Sequence, residues 1–423
     1  MKSRKERKRS VLVCAYACEP GSTSEQEIGW KWSTLLAEFN NVCVLTRCSN
    51  RETIEGYLEE HGLEPRFKII YYDLPEWARK WKKGERGLYL YYTLWQFGAF
   101  LKARRVHEVE RFDIVHYITF GSLLLPNFMW LMPTKYVLGP VGGGENVPLR
   151  FLGGFTTKGI ATEIIRHTLQ ALQKVNPFFF LQCFNSDRIL VRTNESYEMI
   201  PSIFRHKAQV MLETGVPEEL IRAERNVPIE GDVIQIITIG RFIHSKINLL
   251  TLRVILHFKE MYGIPFRFLI VGDGYERRVL EEFCETKGLS ENVTFTGWVP
   301  REKVLDYISE SDIFYSTTFK EGGTWAFFEA VTMGLPVACL KISGPDLIVA
   351  DNCGIKISPT SPDQVIHELA EGIYKLATSF ELRDEYSINA KQALLNNMTW
   401  DKMMARVEKI YREVEGEGTE LSD

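Results

Sequence analysis

The strongest constraint on the fold is an alternation that runs through almost the whole chain. Short apolar runs rich in β-branched residues are separated by longer segments of helical period. Residues 11–15, 42–46, 68–72, 114–117, 136–138 and 188–191 form one series of predicted strands. Residues 234–239, 266–271, 293–295, 313–316, 336–340 and 355–357 form a second. Strands this short, each followed by a helix-length segment, are the pattern of parallel α/β units, because parallel neighbours need a long crossover between them. A chain of 423 residues is also too long for one common core. The expectation is an α/β fold with two Rossmann-like, doubly wound parallel-sheet domains facing across a cleft.

Glu213-Thr214-Gly215-Val216-Pro217 and the polar, weakly patterned stretch to about Gly231 make the best linker. The expected domains are therefore 1–222 and 223–395. A C-terminal helical stretch, 396–423, is expected to pack back on the first domain before an acidic, disordered tail over 415–423. The formal charge of −4 hides an asymmetry, +8 over residues 1–212 against −12 over 213–423, which implies that the halves meet different partners.

Several classes drop out. No run reaches the roughly 18 apolar residues of a membrane-spanning helix. The charged start MKSRKERKRS, followed only by VLVCAYA, is no secretory signal. Eight cysteines are too few for a disulfide scaffold, and the apolar settings of Cys43, Cys183 and Cys339 suggest buried thiols in a reducing cytosol. Cys14 and Cys18 fit a strand running into a loop better than a metal site.

Between Leu74 and Arg105, the rings of Trp77, Trp81, Tyr89, Tyr91, Tyr92, Trp95, Phe97 and Phe100 are interleaved with eight Lys and Arg. Two readings stay open: contact with a membrane interface, or a buried aromatic face with solvated cations. The run Asn176–Leu181 is a second greasy stretch. No nucleic-acid-binding module is visible, so no nucleic-acid partner is expected.

Chemistry concentrates in the second half. Residues 234–239 run into Gly240-Arg241-Phe242-Ile243-His244-Ser245-Lys246, which places two cations five residues apart on the loop after a strand. At the carboxyl end of a parallel strand they suit one anionic group, such as a ligand phosphate. Val271-Gly272-Asp273-Gly274 closes the next strand with glycines that permit close backbone approach, to a ligand or within a tight turn. The strongest feature is Lys320-Glu321-Gly322-Gly323-Thr324-Trp325-Ala326-Phe327-Phe328-Glu329-Ala330. Glycines at a strand–helix junction leave free amides for phosphate. Glu321 precedes them on the loop. Glu329 lies within the helix among apolar neighbours, where an unsatisfied carboxylate would be costly.

Gly240-Arg241 with Lys246, Gly272-Asp273-Gly274, Phe295-Thr296-Gly297-Trp298, and Glu321 with Glu329 followed by Gly334-Leu335-Pro336-Val337 occur in one order and spacing. That order resembles the retaining family 4 glycosyltransferases of GT-B fold, over nearly all of residues 234–414. In the first half, the loop Glu19–Trp30, Asp113-Ile114-Val115-His116 and Gly139-Pro140-Val141-Gly142-Gly143-Gly144-Glu145 look more loosely like a branch acting on bacterial surface polysaccharides.

The resemblance implies transfer of a hexose, with retention, from a nucleotide diphosphate sugar to a glycan or lipid-linked acceptor. Arg241 and Lys246 would neutralise the diphosphate leaving group. Gly322, Gly323 and Thr324 would present amides to phosphate or sugar, with Gly272, Gly274 and Gly21 also on the donor side. Glu329 would bind ribose hydroxyls and Glu321 the hexose. Gly297 and Trp298 would read the base, and Gly142, Gly143 and Glu145 would face the acceptor. His116 matches an active-site histidine of the family, but the family's second histidine two residues on is Ile118 here, and a core histidine fits equally. Glu321-Gly322-Gly323-Thr324 also stands where the family has Glu-Gly-Phe-Gly, and Lys246-Ile247 where it has Lys-Gly. No Asp-x-Asp occurs, so neither a metal nor a cofactor is expected, the donor being a co-substrate. The expected location is cytoplasmic and peripheral on the inner face of an anionic membrane. Two rivals remain, a nucleotide-sugar epimerase of the same fold and a non-catalytic scaffold subunit that binds nucleotide sugar.

Overall fold

The computed structural model describes residues 8–21, 24–79, 87–216, 218–221 and 233–416. Contacts divide the chain into two compact units. The first holds residues 1–144, 169–213 and 404–423, and the second holds 145–168 and 214–403.

The first unit is built on seven strands: β1 (Ser10–Ala15), β2 (Asn41–Arg47), β3 (Lys68–Tyr72), β4 (Ile114–Thr119), β5 (Lys135–Val141), β6 (Arg188–Val191) and β7 (Ala208–Val210). All pair in parallel, in the order β3-β2-β1-β4-β5-β6-β7. Val13 of central β1 sits opposite Val44 on one side and His116 on the other. Every residue of β4 is buried, which is why its sequence is a run and not an alternation. β7 was not anticipated. At three residues, Ala-Gln-Val, it is too short and too polar at its centre to read as a strand.

The second unit carries β8 (Ile234–Ile239), β9 (Phe266–Val271), β10 (Val293–Gly297), β11 (Ile313–Ser316), β12 (Val337–Leu340) and β13 (Gly354–Ile357). Their order is β10-β9-β8-β11-β12-β13, again all parallel. In each sheet the winding reverses beside the first strand, between β1 and β4 and between β8 and β11. Ligand sites of such sheets lie outside the carboxyl ends of the strands at that switch.

The division differs from the expected boundary at residue 222. It falls after Glu213, and residues 145–168 belong with the second unit. Val147 and Phe151 are part of that unit's core, and the Phe151 ring meets Phe319 edge-on at 4.9 Å. This segment has no strand of its own, so sequence order alone assigned it to the first half. The helix Trp400–Glu415 joins the first unit from Met404 onward. There Arg9 pairs with Glu408 and Glu415, and Arg188 reaches Glu413 at 3.1 Å. Glu415 therefore ends a helix instead of opening a tail, and residues 417–423 lie outside the described part.

The aromatic segment divides residue by residue along the helix Leu88–Glu110. Tyr92 and Trp95 are fully buried, and the Tyr16 ring meets theirs at 5.2 and 5.0 Å. Burying side chains of this size contributes roughly 1.5–3 kcal/mol each. Trp77, Tyr89, Leu90, Leu94, Phe97 and Leu101 face outward. Residues 80–86, with Trp81 and four of the cations, lie outside the described part, as do residues 1–7, 22–23 and most of the expected linker. Among the described residues, no helix is long and apolar enough to cross a membrane. The eight cysteines are free, and all but Cys48 are buried.

Candidate functional site

The second unit brings together three loops at the carboxyl ends of β8, β9 and β11. Phe242, fully buried, fixes the first of them, so that Arg241 beside it is exposed. The backbone of this loop is bonded to the loop after β9: Gly240 N donates to Val271 O at 3.0 Å, Phe242 N to Asp273 O at 2.9 Å, and Glu276 N to Phe242 O at 3.1 Å.

This gives two glycines a structural role. A Cβ on Gly272, which has φ +133°, would lie 2.0 Å from Gly240 O, and one on Gly274 would lie 2.3 Å from Phe242 O. The close approach they permit is between two protein loops, which by itself accounts for glycine at both positions.

Lys246 and Glu321, expected on the phosphate and the hexose, form an ion pair of 2.5 Å and are both largely buried. The Glu321 loop is braced from behind. Gly344 N donates to Glu321 O at 3.0 Å, and a Cβ on Gly344 would sit 1.8 Å from Gly322 O. Gly323 is buried with its α-carbon against Thr214. The helix Trp325–Thr332 follows, and its N-cap Thr324 makes no side-chain cap bond, so the first-turn amides lack that partner.

Glu329 is buried on this helix, but it is not bare: Arg301 Nε donates to its Oε1 at 2.7 Å. Burial raises the Glu329 pKa above the usual carboxylate range, and the Arg301 bond opposes that rise. Arg301 also reaches Glu219 at 2.8 Å and lies over the Trp325 ring at 5.2 Å. Gly297 has φ +71° and accepts from Gly272 N at 3.1 Å, while Trp298 beside it is 80% exposed.

A buried polar cluster lies behind these loops, unforeseen in the sequence. Glu163, on the helix Thr157–Gln173, is fully buried. Its Oε1 is shared by His244 Nε2 at 2.8 Å and the Lys320 ammonium. Burial alone would raise its pKa, but bonds from His244 and Lys320 outweigh that and bring it down to about 2. His244 Nδ1 meets the Tyr275 hydroxyl at 2.5 Å. His244 and Lys320 stand within the loop motifs read from the sequence. Glu163 gives no local signal, because it is 81 and 157 residues away from them. Arg301 was equally missed, although it follows Trp298-Val299-Pro300 directly.

In the first unit the expected residues do not assemble in the same way. His116 is fully buried, with Nδ1 on Tyr411 OH at 2.7 Å and Nε2 on Gly139 O at 2.6 Å. Burial lowers its pKa to about 4, and both ring nitrogens are occupied, an arrangement that suits the core-histidine reading. Gly21, exposed at φ +65°, donates to Glu27 at 2.7 Å. Gly142 and Gly143 are buried backbone. A Cβ on Gly142 would strike the Arg192 guanidinium at 2.3 Å, and Gly143 O accepts from Gln170 at 2.6 Å. Glu145, also buried, is counted with the second unit, so the three expected acceptor residues do not share one. Among the described residues no cluster of His, Cys, Asp or Glu could hold a metal ion.

Residues 221–393 match the family model of glycosyl transferases group 1, a stretch that covers the second sheet and all three loops. An uncharacterized glycosyltransferase of Methanocaldococcus jannaschii is 30% identical over 145 residues, 34% of this chain and 36% of that protein. One of the subunits of the human phosphatidylinositol N-acetylglucosaminyltransferase is 28% identical over 188 residues, 43% of this chain and 37% of that protein. The chain thus spans less than half the length of both curated relatives. Anabaena HepE, solved in complex with UDP, is similar over 96% of this chain and 100% of its own, with a TM-score of 0.62 at 12% identity. At that identity the likeness carries the fold, two parallel-sheet α/β domains of GT-B type, and nothing of the chemistry.

Proposed function

We propose that the chain is a retaining, metal-independent glycosyltransferase. It moves a hexose from a nucleotide diphosphate sugar to a glycan or lipid-linked acceptor in the synthesis of a cell-surface polysaccharide. The observation that carries this reading is the convergence of exposed Arg241, the Lys246–Glu321 pair and the uncapped helix Trp325–Thr332 at the carboxyl ends of β8 and β11. The match of residues 221–393 supports it, as does the UDP held by a protein of the same fold.

In this mechanism the bond from the anomeric carbon to the β-phosphate oxygen breaks as the bond to the acceptor oxygen forms on the same face. The acceptor proton passes to the departing phosphate. Arg241 and Lys246 stabilise the charge that grows on that phosphate, which is the electrostatic contribution that usually dominates. The amides at Gly323 and Thr324 add partial positive charge from the helix end. Glu321, tethered to Lys246, accepts from hydroxyls of the hexose. Arg301 occupies Oε1 of Glu329, and this reading gives the other oxygen to the ribose.

The chain works at the cytoplasmic face of an anionic membrane, where a lipid-linked acceptor is presented. The outward Trp77, Tyr89, Leu90, Leu94, Phe97 and Leu101, next to exposed Lys102, Arg104 and Arg105, favour this placement. The human relative, whose name carries phosphatidylinositol, is consistent with a lipid acceptor.

The test is a thermal-shift screen of UDP-, GDP- and ADP-sugars, followed by assay of the stabilising donor with membrane lipid extract. Sugar transfer to lipid supports the proposal. Conversion of the donor without acceptor would point to an epimerase, and tight binding without any transfer would point to a scaffold role.

A further inference from the structure

We infer that Glu163 is a positioning residue of the donor site, a buried carboxylate that holds the loops after β8 and β11 in one geometry through His244 and Lys320. The inference rests on the proposed donor site but concerns a residue outside its motifs.

The contacts close a circuit. Glu163 Oε1 takes His244 Nε2 at 2.8 Å and the Lys320 ammonium. His244 stands between Arg241 and Lys246 on one loop. Lys320 is the neighbour of Glu321 on the other, and Glu321 pairs back to Lys246 at 2.5 Å. Inside the circuit the two loops also touch through backbone, Phe319 N donating to Ser245 O at 2.9 Å. His244 adds the third loop by its Nδ1 contact to Tyr275 OH at 2.5 Å, and its carbonyl accepts from Asn248 Nδ2 at 2.6 Å. Asn248 in turn caps the helix Leu249–Tyr262 through Leu250 N.

The helix that brings Glu163 is fitted to this task. One turn earlier, Gly159 lets it approach His244 closely, since a Cβ there would be 3.1 Å from the His244 side chain. A carboxylate is a poor device for stability alone at a fully buried position. Well-packed apolar groups in place of a buried ion pair are often neutral or stabilising. What a charged, two-partner acceptor supplies is a fixed register between the groups that it bonds. Register matters at a site where a displacement of about 1 Å can cost roughly 100-fold in rate.

The experiment compares Glu163→Gln, the paired Glu163→Gln/Lys320→Met and Arg241→Ala with the unmodified chain. The probe is whichever of UDP, GDP or ADP binds the unmodified chain most tightly by calorimetry, and each protein is checked for folding by circular dichroism. Glu163→Gln is expected to weaken binding and to raise the donor KM by about tenfold or more, with the acceptor KM unchanged. A purely structural residue would lower thermal stability without moving donor KM in the folded protein. The paired variant removes both buried charges, so it is expected to regain stability but not donor affinity, and it keeps the test alive if Glu163→Gln fails to fold. Folded Glu163 variants that bind within twofold of the unmodified chain, while Arg241→Ala binds weakly, overturn this inference and leave the donor site standing. Undiminished binding by Arg241→Ala removes the donor-site reading itself, and the inference with it.

Discussion

Lys246 Nζ lies 2.5 Å from Glu321 Oε1, so a cation of the β8 loop and the carboxylate of the β11 loop neutralise one another. A diphosphate brought to Arg241 would draw on Lys246 as well, and Glu321 would be held where the attached sugar lies. Arg241→Ala and Lys246→Ala are each expected to lower kcat by roughly 10²–10³-fold, the usual effect of deleting a donor to developing charge. In a double-mutant cycle, Lys246→Ala and Glu321→Gln should couple by on the order of 0.5–3 kcal/mol in transition-state free energy. Near-normal transfer by both cation variants would end the assignment of the phosphate site.

Arg301 Nε donates to a Glu329 side chain that is buried among the aromatic residues of the helix Trp325–Thr332. Removing Arg301 leaves the carboxylate without that bond. Because Arg301 itself is 45% exposed at its side chain, the loss is discounted to about 1–2 kcal/mol. Arg301→Ala should therefore lower the urea midpoint, and Arg301→Ala/Glu329→Gln should regain most of it. A double variant no more stable than Arg301→Ala would mean that the guanidinium acts by packing on Trp325 and not by its charge.

His116 makes a pH-dependent contribution that an exposed histidine would not. Burial lowers its folded-state pKa from 6.5 to about 4, so between those values the unfolded chain binds a proton that the folded chain refuses. The group's contribution is complete above pH 6.5 and is lost as pH falls toward about 4, at a slope of roughly 1.4 kcal/mol per pH unit. His116→Gln should flatten this part of the stability–pH curve measured by urea unfolding at 25 °C. It should also leave nucleoside diphosphate affinity unchanged in the folded protein. An affinity loss with the pH slope intact would favour the active-site reading of His116.

The strands were legible where both faces of the sheet are covered. The Val-Leu-Val-Cys-Ala of β1 and the Ile-Val-His-Tyr of β4 are continuous runs because no residue of the core strands faces water. The polar motifs of the second unit were legible because they are local: strand, loop and helix are contiguous in the chain. What could not be read is what joins distant segments. Residues 145–168 carry the glycine and the glutamate that fit against His244, yet their sequence is that of any amphipathic helix and its lead-in. The glycines after β9 were visible, but whether a bare α-carbon serves a ligand or a neighbouring loop depends on Gly240 and Phe242, thirty-odd residues earlier. The setting of His116 was hidden for the same reason. Its partners are the Gly139 carbonyl and Tyr411, the latter 295 residues away.

The helix Leu88–Glu110 presents Leu90, Leu94, Phe97 and Leu101 to the outside at steps of four, three and four residues, the spacing of a single helical stripe. The stripe continues the aromatic surface of the first unit, since the Phe97 ring meets Phe128 at 5.3 Å and Phe128 meets Phe178 at 5.4 Å. Lys102, Arg104 and Arg105 follow in the last turns of the same helix. An apolar stripe with adjacent cations binds an anionic bilayer by two additive contributions, apolar burial and roughly 1 kcal/mol per basic residue near the surface. Leu90→Asp/Leu94→Asp should therefore abolish most binding to phosphatidylserine-containing vesicles in a sedimentation assay. Replacing the three cations by alanine should weaken it by about tenfold or more and remove most of its salt dependence. Both variants should keep nucleoside diphosphate binding, because the loops proposed to hold the donor belong to the other unit. If vesicle association is the same for all three proteins, the outward stripe has no membrane role and the acceptor is sought in solution.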